Sequence, residues 1–366
     1  MALTTVRPQG MGFNTGRRNL IINGAMQVHQ RGNQTASHGT STYFLDRWNE
    51  YQNGTDVAAN LQQSTVVPSG QGFSNSLLID CTTADTSVAS TELVIFRQII
   101  EGQNLQQLAY NTSSAKSVTL SFWVRSTKTG TYVCELFHIS SGSGVNRTQS
   151  HQYTISSADT WEYKTITFSG DTAAIMDNDS NASLYVQWCL QAGSDYSSGG
   201  STNSTWATDT GSATTKRYAG QVNFFDSTSN NFYLTGVQLE VGENASDFEH
   251  RSYGEELALC QRYYWQVAGT SLLVGQGFYY SSSEIDCIVN FPQTMRARPT
   301  FTPSNNSGDF QMTNFSDAFD TWTAQQFFDG SRVNVYVTSG VSGTAGDSGY
   351  IRLMNATSKV QFDAEL

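Results

Sequence analysis

Side chains able to do chemistry are present in this chain, but they are scattered. The five histidines, His29, His38, His138, His151 and His250, share no metal-binding spacing. His29 and His38 could converge in one loop, yet two imidazoles alone make a poor metal site. No phosphate-binding glycine loop, HExxH or GxSxG occurs. Hydrolysis of a glycosidic bond would need two carboxylates about 5 Å or about 6.5–9.5 Å apart across a cleft. Glu92, Glu135, Glu162 and Glu240 fall on strand-like segments, and nothing in their spacing pairs them. Asp177-Asn178-Asp179 reads as a solvated turn. Binding of a glycan asks for less: flat aromatic faces beside amide and hydroxyl donors. Tyr196, Trp206 and Tyr218, in or beside the Gly/Ser/Thr-rich segment from Asp195 to Ala213, have that composition and are the glycan-binding candidates. The competing role is that they pin the loop or pack against a neighbouring subunit. Trp48, Trp123, Trp161 and Trp188 sit in strand-like runs and read as core.

Composition narrows the class. The chain has 366 residues, 38% apolar and 14% charged, with a formal net charge of −11. Solubility therefore rests on Ser, Thr, Asn, Gln and Gly, and the acidic balance argues against nucleic acid as a partner. The five cysteines, Cys81, Cys134, Cys189, Cys260 and Cys287, contain no CxxC pair and read as buried thiols. The amino terminus lacks an apolar signal core, and no apolar run approaches the ~20 residues of a membrane helix. The expectation is a protein made in the cytoplasm without membrane insertion.

The elements that would position these groups are strands. Val118, Leu120, Phe122 and Val124 alternate with polar residues, and Trp161–Phe168 alternates again. Further strands are expected at Asn19–Asn23, Asp46–Tyr51, Ser76–Cys81, Thr91–Ile99, Thr131–Ile139, Ser183–Leu190 and Phe232–Val241. A single helix is expected after Ser252, which forms a capping box with Glu255. Beyond it come strands at Leu272–Tyr280, Glu284–Phe291, Pro299–Phe301, Thr321–Phe328, Arg332–Val337, Tyr350–Met354 and Lys359–Phe362. The predicted fold is all-β: a jelly-roll β-sandwich, a short helical connector and a second, smaller β-sandwich. The predicted divisions are an arm over 1–18, the jelly roll over 19–248, the connector over 249–265 and a C-terminal β-domain over 266–366.

Two resemblances follow from these landmarks. Asn19-Leu20-Ile21-Ile22-Asn23-Gly24, Trp48, Ser121–Arg125, Trp161–Phe168 and Phe232–Leu239 resemble, in order, carbohydrate-binding modules of the galactose-binding-like jelly-roll type. Gly24-Ala25-Met26-Gln27 and Thr235-Gly236 stand where those modules usually carry acidic residues, so the calcium site common in that family is not carried over. The run Arg18–Met26, together with Leu234–Gly242, Phe248–Leu257 and Cys260–Tyr264, is similar to virion proteins of tailed bacteriophages, especially marine and cyanobacterial ones. Phe291-Pro292 and Met295–Thr300 resemble the terminal part of such proteins.

The second resemblance implies a tail fibre, or a head-surface fibre or decoration protein, located on the virion and adhering to the host surface. Its expected partners are other tail or capsid proteins, two further copies of itself and a host-surface glycan. Neither an enzymatic activity nor a cofactor or metal is expected. In this reading Arg7, Arg17 and Arg18 attach the arm to the particle, and Leu257, Cys260, Tyr263 and Tyr264 form a trimer interface. The alternatives are a glycan-binding module without a particle role and a polysaccharide depolymerase.

Overall fold

The computed structural model describes residues 17–36, 41–140, 144–198, 202–209, 217–313 and 318–366, with the backbone alone at 324–326. Arg7 and the rest of the expected arm as far as residue 16 lie outside the described residues. The architecture is all-β, and the chain divides into two compact units. The first holds the described residues of Met1–Met26 and Asn33–Thr42 together with Asn49–His250.

Its strands are β1 (Gln34–Ala36), β2 (Ser41–Tyr43), β3 (Asn49–Asn53), β4 (Ala58–Ser64), β5 (Ser76–Thr83), β6 (Leu93–Glu101), β7 (Val118–Ser126), β8 (Gly130–His138), β9 (Arg147–Ile155), β10 (Glu162–Phe168), β11 (Ala182–Ala192), β12 (Ala207–Thr208) and β13 (Asn231–Val241). They make a six-stranded sheet in the order β1-β4-β5-β13-β7-β10 and a seven-stranded sheet in the order β12-β9-β8-β11-β6-β3-β2. The sheets face each other through large apolar residues. Phe122 of β7 meets Trp188 of β11 edge-on at 5.6 Å, and Phe232 of β13 meets Phe96 of β6 at 5.4 Å. Full burial of each such side chain contributes roughly 1.5–3 kcal/mol. Trp48 and Trp188 are buried, as the sequence pattern predicts.

In this unit two long strands escape the sequence reading, Ala58–Ser64 and Arg147–Ile155, besides the short β1, β2 and β12. Both are rich in Asn, Gln, Ser, Thr and Arg, so neither presents a clear apolar alternation. Conversely, Asn19–Asn23 is not a strand. The Asn19 carboxamide instead accepts from Ile21 N and Leu239 N and donates to Val237 O, which docks the segment on β13. The following Asn23-Gly24 pair makes a turn, and a Cβ on Gly24 would stand 2.1 Å from Val237 O. Glycine is therefore required there.

The second unit gathers Gln27–Gly32 and Tyr43–Trp48 with Arg251–Leu366. It thus differs from the contiguous division expected from the sequence in taking two short segments from the N-terminal part of the chain. Its strands are β14 (Tyr264–Ala268), β15 (Leu273–Ser281), β16 (Glu284–Asn290), β17 (Thr300–Pro303), β18 (Phe310–Met312), β19 (Ala318–Phe319), β20 (Ala324–Phe328), β21 (Arg332–Val337), β22 (Ser348–Leu353) and β23 (Lys359–Asp363). They form a three-stranded sheet β14-β23-β17 and a seven-stranded sheet β19-β18-β22-β15-β16-β21-β20. Val335, Ile351, Val360 and Phe362 are among the buried residues of one shared core.

The helix Tyr253–Gln261 begins with the predicted capping box: Ser252 Oγ accepts from Glu255 N, and Glu255 Oε2 accepts from Ser252 N. The trimer role expected for the residues near its end meets a physical obstacle. Cys260, Tyr263 and Tyr264 are buried inside their own unit. The Arg47 guanidinium lies 3.4 Å from the Tyr263 ring centre and that of Arg31 lies 3.6 Å from the Tyr264 ring centre. Arg47 is itself paired with Glu365, and Arg31 with Asp363 at 2.7 Å. These three side chains are consumed within the chain, and Leu257 alone of the four is only half-buried. Among the described residues no helix is long and apolar enough to cross a membrane.

Candidate functional site

The outer face of the six-stranded sheet carries a groove. Val118, Leu120, Phe122 and Val124 of β7 are fully buried toward the core. Strand alternation therefore turns Ser121, Trp123 and Arg125 outward. On the neighbouring strand β10, Tyr163 stands opposite Trp123 and Thr165 opposite Ser121. The two rings lie 5.3 Å apart at 46°. On the other side, Thr235 of β13 pairs with Trp123, and the register slips before Gln238. Gly236 occupies that bulge at φ +62°. A Cβ there would sit 2.6 Å from the Phe73 ring and 3.1 Å from the Trp123 ring. The glycine is what lets both rings share one floor.

Phe73 continues the aromatic surface, with Phe248 at 5.0 Å and His250 at 5.3 Å. The groove these residues line has a volume of about 680 Å³, and its polar lining includes Gln71, Ser121, Thr165, Ser246 and Asp247. Tyr163 is 44% exposed.

One wall is the segment after β13, fixed from behind. The Glu240 carboxylate accepts from Ser246 N at 2.8 Å and from Ser246 Oγ at 2.7 Å. Gln238 Oε1 accepts from Glu249 N, and Glu249 Oε2 accepts from the backbone N–H groups of Arg18 and Asn19. Arg18, expected as an attachment residue, donates from Nη1 to Ser246 Oγ at 3.0 Å and helps to hold this wall. Arg17 is exposed. The lining offers one carboxylate, Asp247, and one imidazole, His250. It therefore matches a surface that binds by stacking and hydrogen bonding, while a paired-carboxylate hydrolytic centre would need a second acid in the lining.

The loop aromatics singled out from the sequence lie elsewhere and do a different job. Tyr218 is fully buried, which corrects its place among the glycan-binding candidates. Its hydroxyl donates to Glu135, and burial pushes that hydroxyl's pKa well up. Glu135 is itself buried and also accepts from Arg217 Nε at 2.7 Å, Arg217 Nη2 at 2.8 Å, Gln187 Nε2 at 2.9 Å and the Thr148 hydroxyl. Tyr196 packs against a cluster of Leu93, Ile95, Val133, Cys189 and Tyr218 on the seven-stranded sheet. The Trp206 indole donates to Ser169 O at 2.6 Å, and its ring meets Tyr110 at 5.9 Å and His138 at 6.2 Å. These three aromatics are thus held by contacts within the first unit.

His138, Asp171 and Asp179 have structural partners, while His38 lies outside the described residues. His138 Nδ1 meets Asp171 Oδ2 at 3.2 Å, and Arg147 Nε donates to Asp171 at 2.9 Å. Burial alone would raise the Asp171 pKa; the hydrogen bonds from His138 and Ala173 N and the charge of Arg147 outweigh it and hold it below the ordinary value. Asp179 accepts from Asn181 N and Nδ2, which closes a local turn. The five thiols are buried and unpaired with one another, and burial raises the pKa of each.

Trp123 and Trp161 are the reverse case. Read as core in the sequence, both are half-exposed. Trp161 lies 6.2 Å from Tyr233, over which Arg125 stacks at 5.3 Å. The signal for Trp123 was available, since the four apolar residues alternating around it assign it to the opposite face.

No protein-family model matches the chain, and no curated protein matches it. Among solved structures, the enzymatically active domain of bacteriophage CBA120 tailspike protein 4 is similar over 61% of this chain, at 14% identity and a TM-score of 0.32. That match spans only 21% of the tailspike chain. A putative sugar binding protein from Bacteroides thetaiotaomicron matches over 62% of this chain and 100% of its own, at 15% identity and a TM-score of 0.30. The family 11 carbohydrate-binding module of the Clostridium thermocellum cellulase Lic26A-Cel5E matches over 59% of this chain and 98% of its own, at 12% identity and a TM-score of 0.28. Likenesses this distant assign no ligand.

Proposed function

We propose that this chain is a carbohydrate-binding protein, that the Trp123–Tyr163 groove holds the glycan, and that the protein serves as an adhesive structural component of a tailed-phage particle. The observation that carries the binding reading is the floor itself: Phe73, Trp123 and Tyr163 brought together across Gly236, with hydroxyl, amide and carboxylate groups around them. A sugar ring has an apolar C–H face and a rim of hydroxyls, and this arrangement is complementary to both.

The particle reading is supported by the sequence resemblance to phage virion proteins. In this reading the protein binds without cleaving, and assembly into a homotrimer uses surfaces other than Cys260, Tyr263 and Tyr264. Purified protein on a glycan array tests the binding. Trp123→Ala is expected to abolish signal while leaving the thermal transition in place, and undiminished signal from that variant refutes the site. Peptide mass spectrometry of purified particles tests the location: absence from particles leaves a free glycan-binding protein. Release of soluble sugar from a bound polysaccharide would instead favour a depolymerase.

A further inference from the structure

The groove also has an electrostatic character that bears on which saccharides it accepts. This inference rests on the proposed glycan site and deepens it. Among the described residues that line the groove, Asp247 is the charged side chain and no Lys or Arg contributes. Behind the wall stand two more carboxylates: Glu240 accepts from Ser246, and Glu249 accepts from the backbone N–H groups of Arg18 and Asn19. One guanidinium, Arg18, faces them through Ser246 Oγ and Asp247 O. Three carboxylates against one guanidinium leave the wall net negative.

Other charges on the neighbouring strands do not reverse this. Arg125, two residues beyond Trp123 on β7, is paired with Asp159 at 2.9 Å. On β10, Lys164 is paired with Glu162 at 2.6 Å, and both alternate with the outward-facing Tyr163. The aromatic floor adds to the bias. The faces of Trp123 and Tyr163 present negative π density, which attracts cations and repels anions.

We infer that the groove selects by charge: it takes uncharged or amino-bearing saccharides and rejects those carrying carboxylate, sulfate or phosphate. The size of the effect follows from unit charges some 6 Å apart at a wet surface, where discrimination of about three- to tenfold is expected at low salt. Because Asp247, the charge in the lining, is exposed, the discrimination shrinks as salt shortens the screening length.

The test is a glycan array that carries neutral glycans beside their uronate or sialylated counterparts. It is probed at pH 8 with the wild type, Trp123→Ala and Asp247→Asn, in about 20 mM and about 500 mM salt. The expected result is Trp123-dependent signal on neutral or amino-bearing glycans, with the acidic counterparts at least about threefold weaker at low salt. Asp247→Asn, at an exposed position, narrows that gap, as does the higher salt. Trp123-dependent signal equal or stronger on the acidic member of a pair overturns the inference while leaving the binding site standing. A gap unchanged in Asp247→Asn and in high salt also overturns it. Absence of Trp123-dependent signal on every glycan removes the site, and the selectivity with it.

Discussion

Gly236→Ala concentrates the description of the groove in one atom. The substitution adds a Cβ at φ +62°, where an L-residue loses roughly 1–2 kcal/mol. That Cβ would stand 2.6 Å from the Phe73 ring, far inside the ~3.5–4.0 Å of a normal carbon contact. Phe73 must therefore move off its packed position, at a cost of about 0.5–1.5 kcal/mol if it leaves its rotamer. The sum is about 1.5–3.5 kcal/mol. At about 2–4 °C per kcal/mol for a unit of this size, the melting temperature of the N-terminal unit falls by about 3–14 °C. Glycan affinity falls too, because the ring that shares the floor with Trp123 has been displaced.

Calorimetry and denaturant titration read the stability, repeated in a Phe73→Ala background as a double-mutant cycle. With the ring gone, Gly236→Ala should cost only the backbone part, roughly 1–2 kcal/mol. A Gly236→Ala variant within about 0.5 kcal/mol of wild type refutes the packing described here. An equal cost with and without Phe73 refutes it as well.

Other variants test the interior. Glu135→Gln removes the charge that Arg217 faces inside the first unit, and breaking a buried pair of this kind costs about 3–5 kcal/mol. Urea unfolding measures it, and a loss below about 1 kcal/mol would mean that water reaches the site. Glu50 is buried, one carboxylate oxygen accepts from Gln52 Nε2, and among the described residues the other has no hydrogen-bond partner. Burial pushes its pKa from 4.5 up to about 7. The folded state then holds a proton that the unfolded chain releases above 4.5, so stability falls as pH rises from about 4.5 to about 7 and levels off beyond. Glu50→Gln, permanently neutral, should match the wild type at pH 4 and exceed it by up to about 3 kcal/mol at pH 8. Denaturation midpoints across that range decide it, and a pH-independent difference contradicts the assignment. Trp206→Phe, which loses the indole bond to Ser169 O, should destabilise by about 1 kcal/mol without changing glycan binding; lost binding would restore that loop as the site.

Much of the strand content was legible in the sequence because period-two patterns are local. Val118–Val124 announces its own buried face, and Ser252 with Glu255 announces the start of its helix. The groove was harder to read because its parts come from distant positions. Phe73 precedes β5, Trp123 is on β7, Tyr163 on β10 and Gly236 on β13, and only the strand order β5-β13-β7-β10 makes them neighbours. Nothing local marks Gly236 as a bulge rather than an ordinary strand glycine. The loop aromatics misled because Tyr196 and Tyr218 have the composition of a binding surface, while the hydrophobic face that they cover belongs to Leu93, Ile95, Val133 and Cys189 on other strands. The return of Gln27–Gly32 and Tyr43–Trp48 to the second unit is likewise a matter of long-range pairing. Arg31 with Asp363 and Arg47 with Glu365 join residues more than three hundred positions apart, and no local pattern foretells them.

The central claim is where the sugar lies. A crystal structure of the protein soaked or co-crystallised with an oligosaccharide identified on the array tests it most directly. The expected result is a sugar ring stacked on Trp123 and Tyr163, with hydroxyls reaching Thr165, Ser121 or the Ser246–Asp247 wall. A sugar found on the seven-stranded sheet, beside Tyr196 and Trp206, or on the C-terminal unit would contradict it.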